Sequence, residues 1–303
     1  MKKIIMIYII VCVLLFLIPL TFKSKNPSTI PTKSMPQTES CSLLITANNE
    51  SIPIEDYLIG VLAGEMPASF HLEALKAQAI AARTYVLKQT DYGAKPILTT
   101  TAHQVYNDQN LREQKWQTTF AENEQKVTEA VRQTANQILT YNDELITAMF
   151  HSASYQQTES AKNYSGNAIP YLKTTTSPEQ LAPEETHYTF EQLNKMLQQK
   201  FSKSELQNAK IKRNDSQRIE QIKIGKKTWS GREFRTSLNL KSSNFAWSAT
   251  KTGVTIKTYG YGHGVGLSQY GANAMALNGT AAEQILAHYY PNTILKTIKY
   301  CKK

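Results

Sequence analysis

The sequence predicts an α+β protein, with mixed strands and helices in one large domain behind an N-terminal transmembrane helix. Three observations predict it. Strand-like and helix-like segments alternate irregularly, with no internal repeat. Charged residues make up 19% and apolar residues 41% of the 303 positions, an ordinary globular composition that excludes disorder throughout and a polytopic membrane protein. A single uncharged apolar run stands at the N-terminus.

That run, residues 4–22, reads IIMIYIIVCVLLFLIPLTF, with Lys2 and Lys3 before it and Lys23 and Lys25 after it. A helix rising ~1.5 Å per residue would nearly cross a ~30 Å hydrocarbon core. A cleaved signal peptide would have a shorter apolar region of ~7–15 residues and an A-x-A-like site. No such site follows Phe22, so residues 1–22 are expected to be a short cytoplasmic tip and an uncleaved anchor. Residues 23–40, rich in Pro, Ser, Thr and Lys, read as a linker. The domain then occupies 41–303 and is expected outside the cell membrane. The net charge of +10 suits an anionic partner: nucleic acid, a lipid surface or an acidic wall polymer. Part of that charge serves the anchor. Three cysteines, Cys12, Cys41 and Cys301, exclude a disulfide-dense scaffold and any CxxC motif. Cys41 and Cys301 stand at the outer ends of predicted terminal strands, where they form either a disulfide or two free thiols.

The elements follow in order. Residues 41–49 read as a strand ending in a turn. Ile54, Leu58, Val61 and Leu62 recur at helical spacing over 54–64. Pro67 disfavours α geometry at Met66 and ends that helix. A second helix spans roughly 70–89. It is poor in charge on both faces, which predicts burial on several sides. Residues 99–106 look extended, and 121–136 form an amphipathic helix. Residues 137–154 read as a hairpin turning at Asn142-Asp143. Helices are expected at 190–201 and 232–240, with a strand at 218–225. Residues 254–271 read as a strand running into a glycine-rich loop. A helix over 269–278 follows, stopped by Gly279, and 293–300 closes the chain as a strand.

Several chemistries fail on spacing. The glycines at 260, 262, 264, 266 and 271 do not fit G-x-G-x-x-G, and no Walker lysine follows. There is no G-x-S-x-G and no H-E-x-x-H. No cofactor is implied. What remains is Glu65, a carboxylate at a helix break between two apolar helices. A low-dielectric wall there would raise its pKa and suit it to proton donation; the alternative is a solvated helix-end glutamate. Arg83 sits among alanines and either needs a carboxylate or carbonyl partners or snorkels to the helix edge. In GYGHGVGLSQYG, glycines around His263 let the backbone pass close to something bulky, either a ligand cleft that includes Gln269 or a packed strand–helix crossing. Thr158 and Glu159 face either that cleft or solvent.

These segments resemble the stage II sporulation protein D family. The resemblance rests on IEDYLIGVLAGEMPASFHLEALKAQAIAARTYVL (54–87) and YGHGVGLSQYGANAMALNGTAAEQILAHYYPNT (261–293). The blocks FHSASYQQTES (150–160), IPYLKTTTSP (169–178) and SGREFRTSLNLKSSNF (230–245) lie between them in order. The resemblance implies a lytic transglycosylase that cuts peptidoglycan glycan strands during forespore engulfment. It also implies partnership with stage II sporulation proteins M and P, the latter stripping stem peptides first, and no nucleic-acid partner. A related branch implies the alternative, a non-catalytic wall-binding activator of an N-acetylmuramoyl-L-alanine amidase. By the same resemblance Glu65 matches the catalytic glutamate and Arg83 a residue needed for activity. Thr158, Tyr171 and Lys173 match cleft positions, and His263 and Gln269 lie in the glycine-rich block. Two departures stand out. Tyr155-Gln156-Gln157 replaces a Gly-Gly that many members have. Ser152 and Ala153 stand where some members carry zinc-binding cysteines near His151, so no metal is expected.

Overall fold

A computed structural model describes residues 42–300 of the chain. The expected anchor at 4–22, the linker at 23–40 and a bond between Cys41 and Cys301 lie outside the described residues. Among the described residues no helix is long and apolar enough to cross a membrane. The described part mixes helices and strands as an α+β protein, and it builds two hydrophobic cores within one compact unit.

The first core forms around the helix Leu72–Gln89. His71 caps its start, its Nδ1 accepting from the Glu73 amide at 3.3 Å. The alanines at 74, 77, 79, 81 and 82 are all fully buried, and their small side chains admit neighbours on several sides. Those neighbours are the helices Ile54–Glu65, Phe120–Gln133, Gln269–Leu277 and Ala282–Tyr289, and the strand Gln137–Tyr141. This is the burial on both faces that the lack of charge predicts.

Turn chemistry places the flanking hairpins. Asn48 and Asn49 both have positive φ, 52° and 64°, joining Leu44–Ala47 to Glu50–Pro53 antiparallel. Asn142 and Asp143, at 50° and 65°, join Gln137–Tyr141 to Glu144–Leu145. The terminal strand Ile294–Thr297 pairs with the other edge of Gln137–Tyr141.

The second core belongs to residues 184–258. Two antiparallel three-stranded sheets build it. One orders Lys227–Ser230, Ile219–Ile224 and Lys210–Arg213; the other orders Phe245–Ala249, Gly253–Thr258 and Glu184–Thr189. Phe234 and Phe245 stack at 5.7 Å in its centre, among Ile222, Ile224, Leu193 and Ile256.

Three expectations differ. Residues 99–106 are bends and irregular chain rather than a strand. The helix Gln109–Trp116, capped by Asp108 accepting from the Leu111 amide at 2.8 Å, carries no apolar stripe and so gave no periodic signal. The helix expected over 190–201 is shorter, Phe190–Met196, and Gln198 turns away at positive φ, 53°.

Arg83 is fully buried at the centre of the first core. Its Nε and Nη2 donate to the two oxygens of Glu55 at 3.0 and 2.5 Å. Nη1 and Nη2 also reach the carbonyls of Gln137 and Val131, each at 3.2 Å. The carboxylate partner that burial demands is therefore Glu55, in the first turn of the neighbouring helix. Arg83→Met would remove the cation from that buried pair and its bonds to the two carbonyls. Breaking a buried pair from one side costs ~3–5 kcal/mol, and the partial exposure of Glu55 places this case at the lower end. Denaturant unfolding of the variant should show that loss of stability.

Candidate active site

Glu65 ends the helix Ile54–Glu65, where Met66 turns to extended backbone at φ −132° and Pro67 follows. The irregular segment 104–107 runs against this helix. At Gly64 an added Cβ would lie 2.6 Å from the Val105 carbonyl oxygen, so only glycine admits the approach. The approach lets the Val105 amide donate to Glu65 Oε1 at 2.6 Å. Asn107 N–H donates to the Gly60 carbonyl at 3.1 Å, and Gln104 Nε2 to the Ala82 carbonyl at 3.2 Å. These bonds stitch an unstructured segment to two helices.

Two opposed effects act on the Glu65 carboxyl. Burial raises its pKa by penalising the charged form, and the Val105 bond lowers it by favouring the carboxylate. Burial is the larger, so the carboxyl sits above the ordinary glutamate range. No cation is within ion-pair distance among the described residues. Burial, and then the Glu65 charge, hold the Tyr57 and Tyr85 phenols protonated.

Glu65 lines a cleft of about 510 Å³. Its walls also include Lys115, Lys241, Glu184, Tyr261, Gln269 and Tyr270. Lys241 pairs with Glu184, and its Nζ lies 5.6 Å from the Tyr261 ring centre. Tyr261 is 52% exposed. The helix carrying Lys115 is clamped by Arg112, whose fork binds Glu124 at 2.8 and 2.7 Å.

Of the residues singled out from sequence, Glu65 and Gln269 line this cleft together. Arg83, Thr158, Tyr171, Lys173 and His263 are not among its lining residues. Thr158 is buried, and its Oγ1 accepts from the Thr175 amide at 2.9 Å. The Tyr171 hydroxyl accepts from the Thr147 amide at 2.9 Å. Lys173 is exposed and lines a separate depression with Lys162, Ile169, Pro170 and Asp215. His263 Nδ1 accepts from the Val265 amide at 3.0 Å. Burial and then Arg218 and Arg235 push its pKa down to about 4. The bulky neighbour of the glycine loop is Arg218: a Cβ on Gly264, at φ +87°, would fall 2.2 Å from its Nη2.

The surroundings of His151 do not fit a zinc ion. Its Nε2 bonds to Ser154 Oγ at 2.7 Å and its Nδ1 to the Val265 carbonyl at 3.2 Å, and Ser152 and Ala153 offer no thiolate. Sequence reasoning did not single out Lys115, Lys241, Glu184 or Tyr261. Tyr261 lies inside the glycine-rich block and Lys241 inside the block 230–245; Lys115 and Glu184 come from segments without a motif.

Glu65→Gln keeps an oxygen for the Val105 amide and removes the titration. A carboxyl raised in the folded state contributes stability below its unfolded pKa and loses it as pH rises through the folded value. The Gln variant should therefore unfold at higher denaturant than wild type at pH 7 and above. That advantage should fade below about pH 4, near the ordinary glutamate pKa.

A family model described as Stage II sporulation protein (SpoIID) matches residues 45–141. The chain is 38% identical over 262 residues to Stage II sporulation protein D of Bacillus subtilis strain 168, covering 82% of this chain and 76% of the relative. It is 37% identical over 252 residues to the Stage II sporulation protein D of Bacillus amyloliquefaciens, covering 80% and 73%. It is also 32% identical over 296 aligned positions to a protein of Bacillus subtilis strain 168 named Amidase enhancer, covering 78% of this chain and 40% of that protein. With that identity across most of both chains, the protein belongs to the stage II sporulation protein D family.

Proposed function

We propose that the protein is a lytic transglycosylase of peptidoglycan, with Glu65 as its acid and base. The carrying observation is a half-buried carboxyl, raised by desolvation, in a sugar-sized cleft. Glycoside hydrolases generally use two carboxylates. Glu184 is the other carboxylate on the cleft wall, and it is paired with Lys241. One carboxyl suffices if the substrate supplies the nucleophile. Protonated Glu65 donates to the bridging oxygen that leaves C1 of N-acetylmuramic acid. The ionised Glu65 then takes the proton of that sugar's C6 hydroxyl as its oxygen bonds to C1. The product ends in a 1,6-anhydro ring, no water is consumed, and Glu65 returns to its acid form.

The sporulation family supports a setting in which this cut serves forespore engulfment, beside stage II sporulation proteins M and P. In that setting residues 4–22 would anchor the chain in the cell membrane with the domain outside. The likeness to a protein named Amidase enhancer favours a second reading, in which the cleft binds wall glycan and activates an amidase without cutting.

The test is mass spectrometry of products from peptide-free glycan. The wild-type chain should release 1,6-anhydro ends. Glu65→Gln should remain folded and lose ~10²-fold or more of the rate, the usual worth of general acid–base catalysis. Because the acid form starts the reaction, the rate should fall as pH rises past the raised pKa. Reducing ends in place of anhydro ends would indicate hydrolysis, and undiminished release by the variant would remove Glu65 from the mechanism. The native protein should fractionate with membranes and retain its N-terminal residues.

A further inference from the structure

Three large apolar side chains that stand in solvent belong to one face of the first core: Leu44, Tyr92 and Leu98, at 50%, 50% and 57% exposure. Ile45 and Ala47 of the strand Leu44–Ala47 are buried, which turns Leu44 and Thr46 outward. Across the hairpin, Leu44 pairs with Pro53 and Thr46 with Ser51, on that same outer side. On the strand's other edge Ile97 bridges to Ala47, its N–H donating to the Thr46 carbonyl at 3.0 Å. Ile97 is buried, so Leu98 turns outward beside them. The outer face of this small sheet therefore presents Leu44, Thr46, Ser51, Pro53 and Leu98, none of them charged.

Tyr92 borders that face. Its neighbour Gly93 passes so close that an added Cβ would lie 2.4 Å from the Leu44 carbonyl oxygen. Asp91, Tyr92 and Gly93 all have left-handed backbone, with φ of 51°, 54° and 84°. This turn ends the central helix and is pinned there. Tyr92 N–H donates to the Leu87 carbonyl at 2.8 Å, and Gly93 N–H to Thr90 Oγ1 at 2.9 Å. Ending a helix favours glycine or asparagine in that conformation; a tyrosine is strained in it, and half of this one stays in water. The charges beside the ring, Lys95 and Asp91, oppose each other at 4.0 Å. The face thus offers apolar surface rather than a field.

We infer that this face rests in the interfacial layer of a lipid bilayer. What selects lipid as the occupant is the place of the face along the chain. Leu44 opens the first strand, and residues 23–41 stand between the described domain and the uncharged apolar run 4–22. Even fully extended, nineteen residues reach at most about 65 Å. A domain tethered by that run stays beside the bilayer, so the face meets lipid at high effective concentration. Leucine enters the acyl boundary, and a tyrosine ring sits at headgroup level with its hydroxyl in water. The inference rests on the reading of 4–22 as an anchor and adds a peripheral contact that orients the domain on the membrane.

The test places the full chain in vesicles of a zwitterionic phospholipid doped with one that carries a diazirine high on its acyl chain. Irradiation expels dinitrogen, and the carbene inserts into a neighbouring C–H or O–H bond. Peptide mass spectrometry should find adducts on 4–22 and on the peptides holding Leu44, Tyr92 and Leu98, undiminished at high salt. Leu44→Thr with Leu98→Thr, and separately Tyr92→Asn, should lose most of the domain adducts and keep those on 4–22. Threonine suits an exposed strand and asparagine adopts left-handed backbone more readily than tyrosine, so both variants should keep the wild-type unfolding midpoint. Wild-type adducts on 4–22 with none on the three peptides would overturn the inference. So would domain adducts that persist in both variants, or that vanish at high salt. An amine cross-linker joining Lys95 to a second copy, with the face free of lipid, would overturn it in favour of a dimer. Adducts on the face with none on 4–22 would sustain the contact and remove the anchor reading.

Discussion

The site depends on one constraint, the close passage of irregular backbone against the end of a buried helix. Residues 104–107 have no regular structure, so their polar groups must find partners outside a helix or sheet. The Val105 amide finds Glu65, and the Asn107 amide finds the Gly60 carbonyl. Tyr106 stacks on Tyr57 at 5.3 Å between them. The same passage that buries the Glu65 carboxyl also supplies its one fixed hydrogen bond. Desolvation and that bond pull its acidity in opposite directions, and desolvation, the larger effect, leaves its pKa raised. A group that donates and then accepts one proton needs that balance.

Arg83 lies outside the lining of the Glu65 cleft and ties the first core together. Its guanidinium joins the first turn of one helix, through Glu55, to the carbonyls of Val131 and Gln137 across the core. Glu55 also accepts from the Asn136 amide at 3.3 Å. The positive φ of Asn136, 65°, turns the chain from the helix Phe120–Gln133 into the strand Gln137–Tyr141. The buried ion pair therefore holds a corner of the first core. The Glu65 carboxyl, at the opposite end of the helix that carries Glu55, inherits its position from that corner.

Local chemistry explains what could be read from sequence. Apolar spacing marked the helices at 54–65, 72–89 and 120–133, and Asn48-Asn49 and Asn142-Asp143 marked the two turns. Pro67 marked the break that exposes Glu65 to a cleft. The strands Glu184–Thr189 and Lys210–Arg213 were not legible, because charged side chains on exposed sheet edges hide the alternation. The helix Gln109–Trp116 was hidden for the same reason, being mostly polar and held by an ion pair to Glu124 rather than by an apolar stripe. Two of the cleft's side chains stayed unseen with these segments. Lys115 and Glu184 come from them, and their meeting with Glu65 is a long-range fact that no local pattern encodes.

The charge of the cleft is better understood locally than from the net +10 of the chain. At physiological salt, exposed charges more than ~8 Å apart are largely screened. A polymer sliding into a cleft therefore meets the few groups on its walls. Here Glu184 cancels Lys241, while Tyr261 lies beneath that ammonium and leaves an aromatic surface open. Such a wall meets a polymer with Lys241 already paired and Tyr261 partly open. That is a different use of basic residues from the broad positive field that the composition alone suggests.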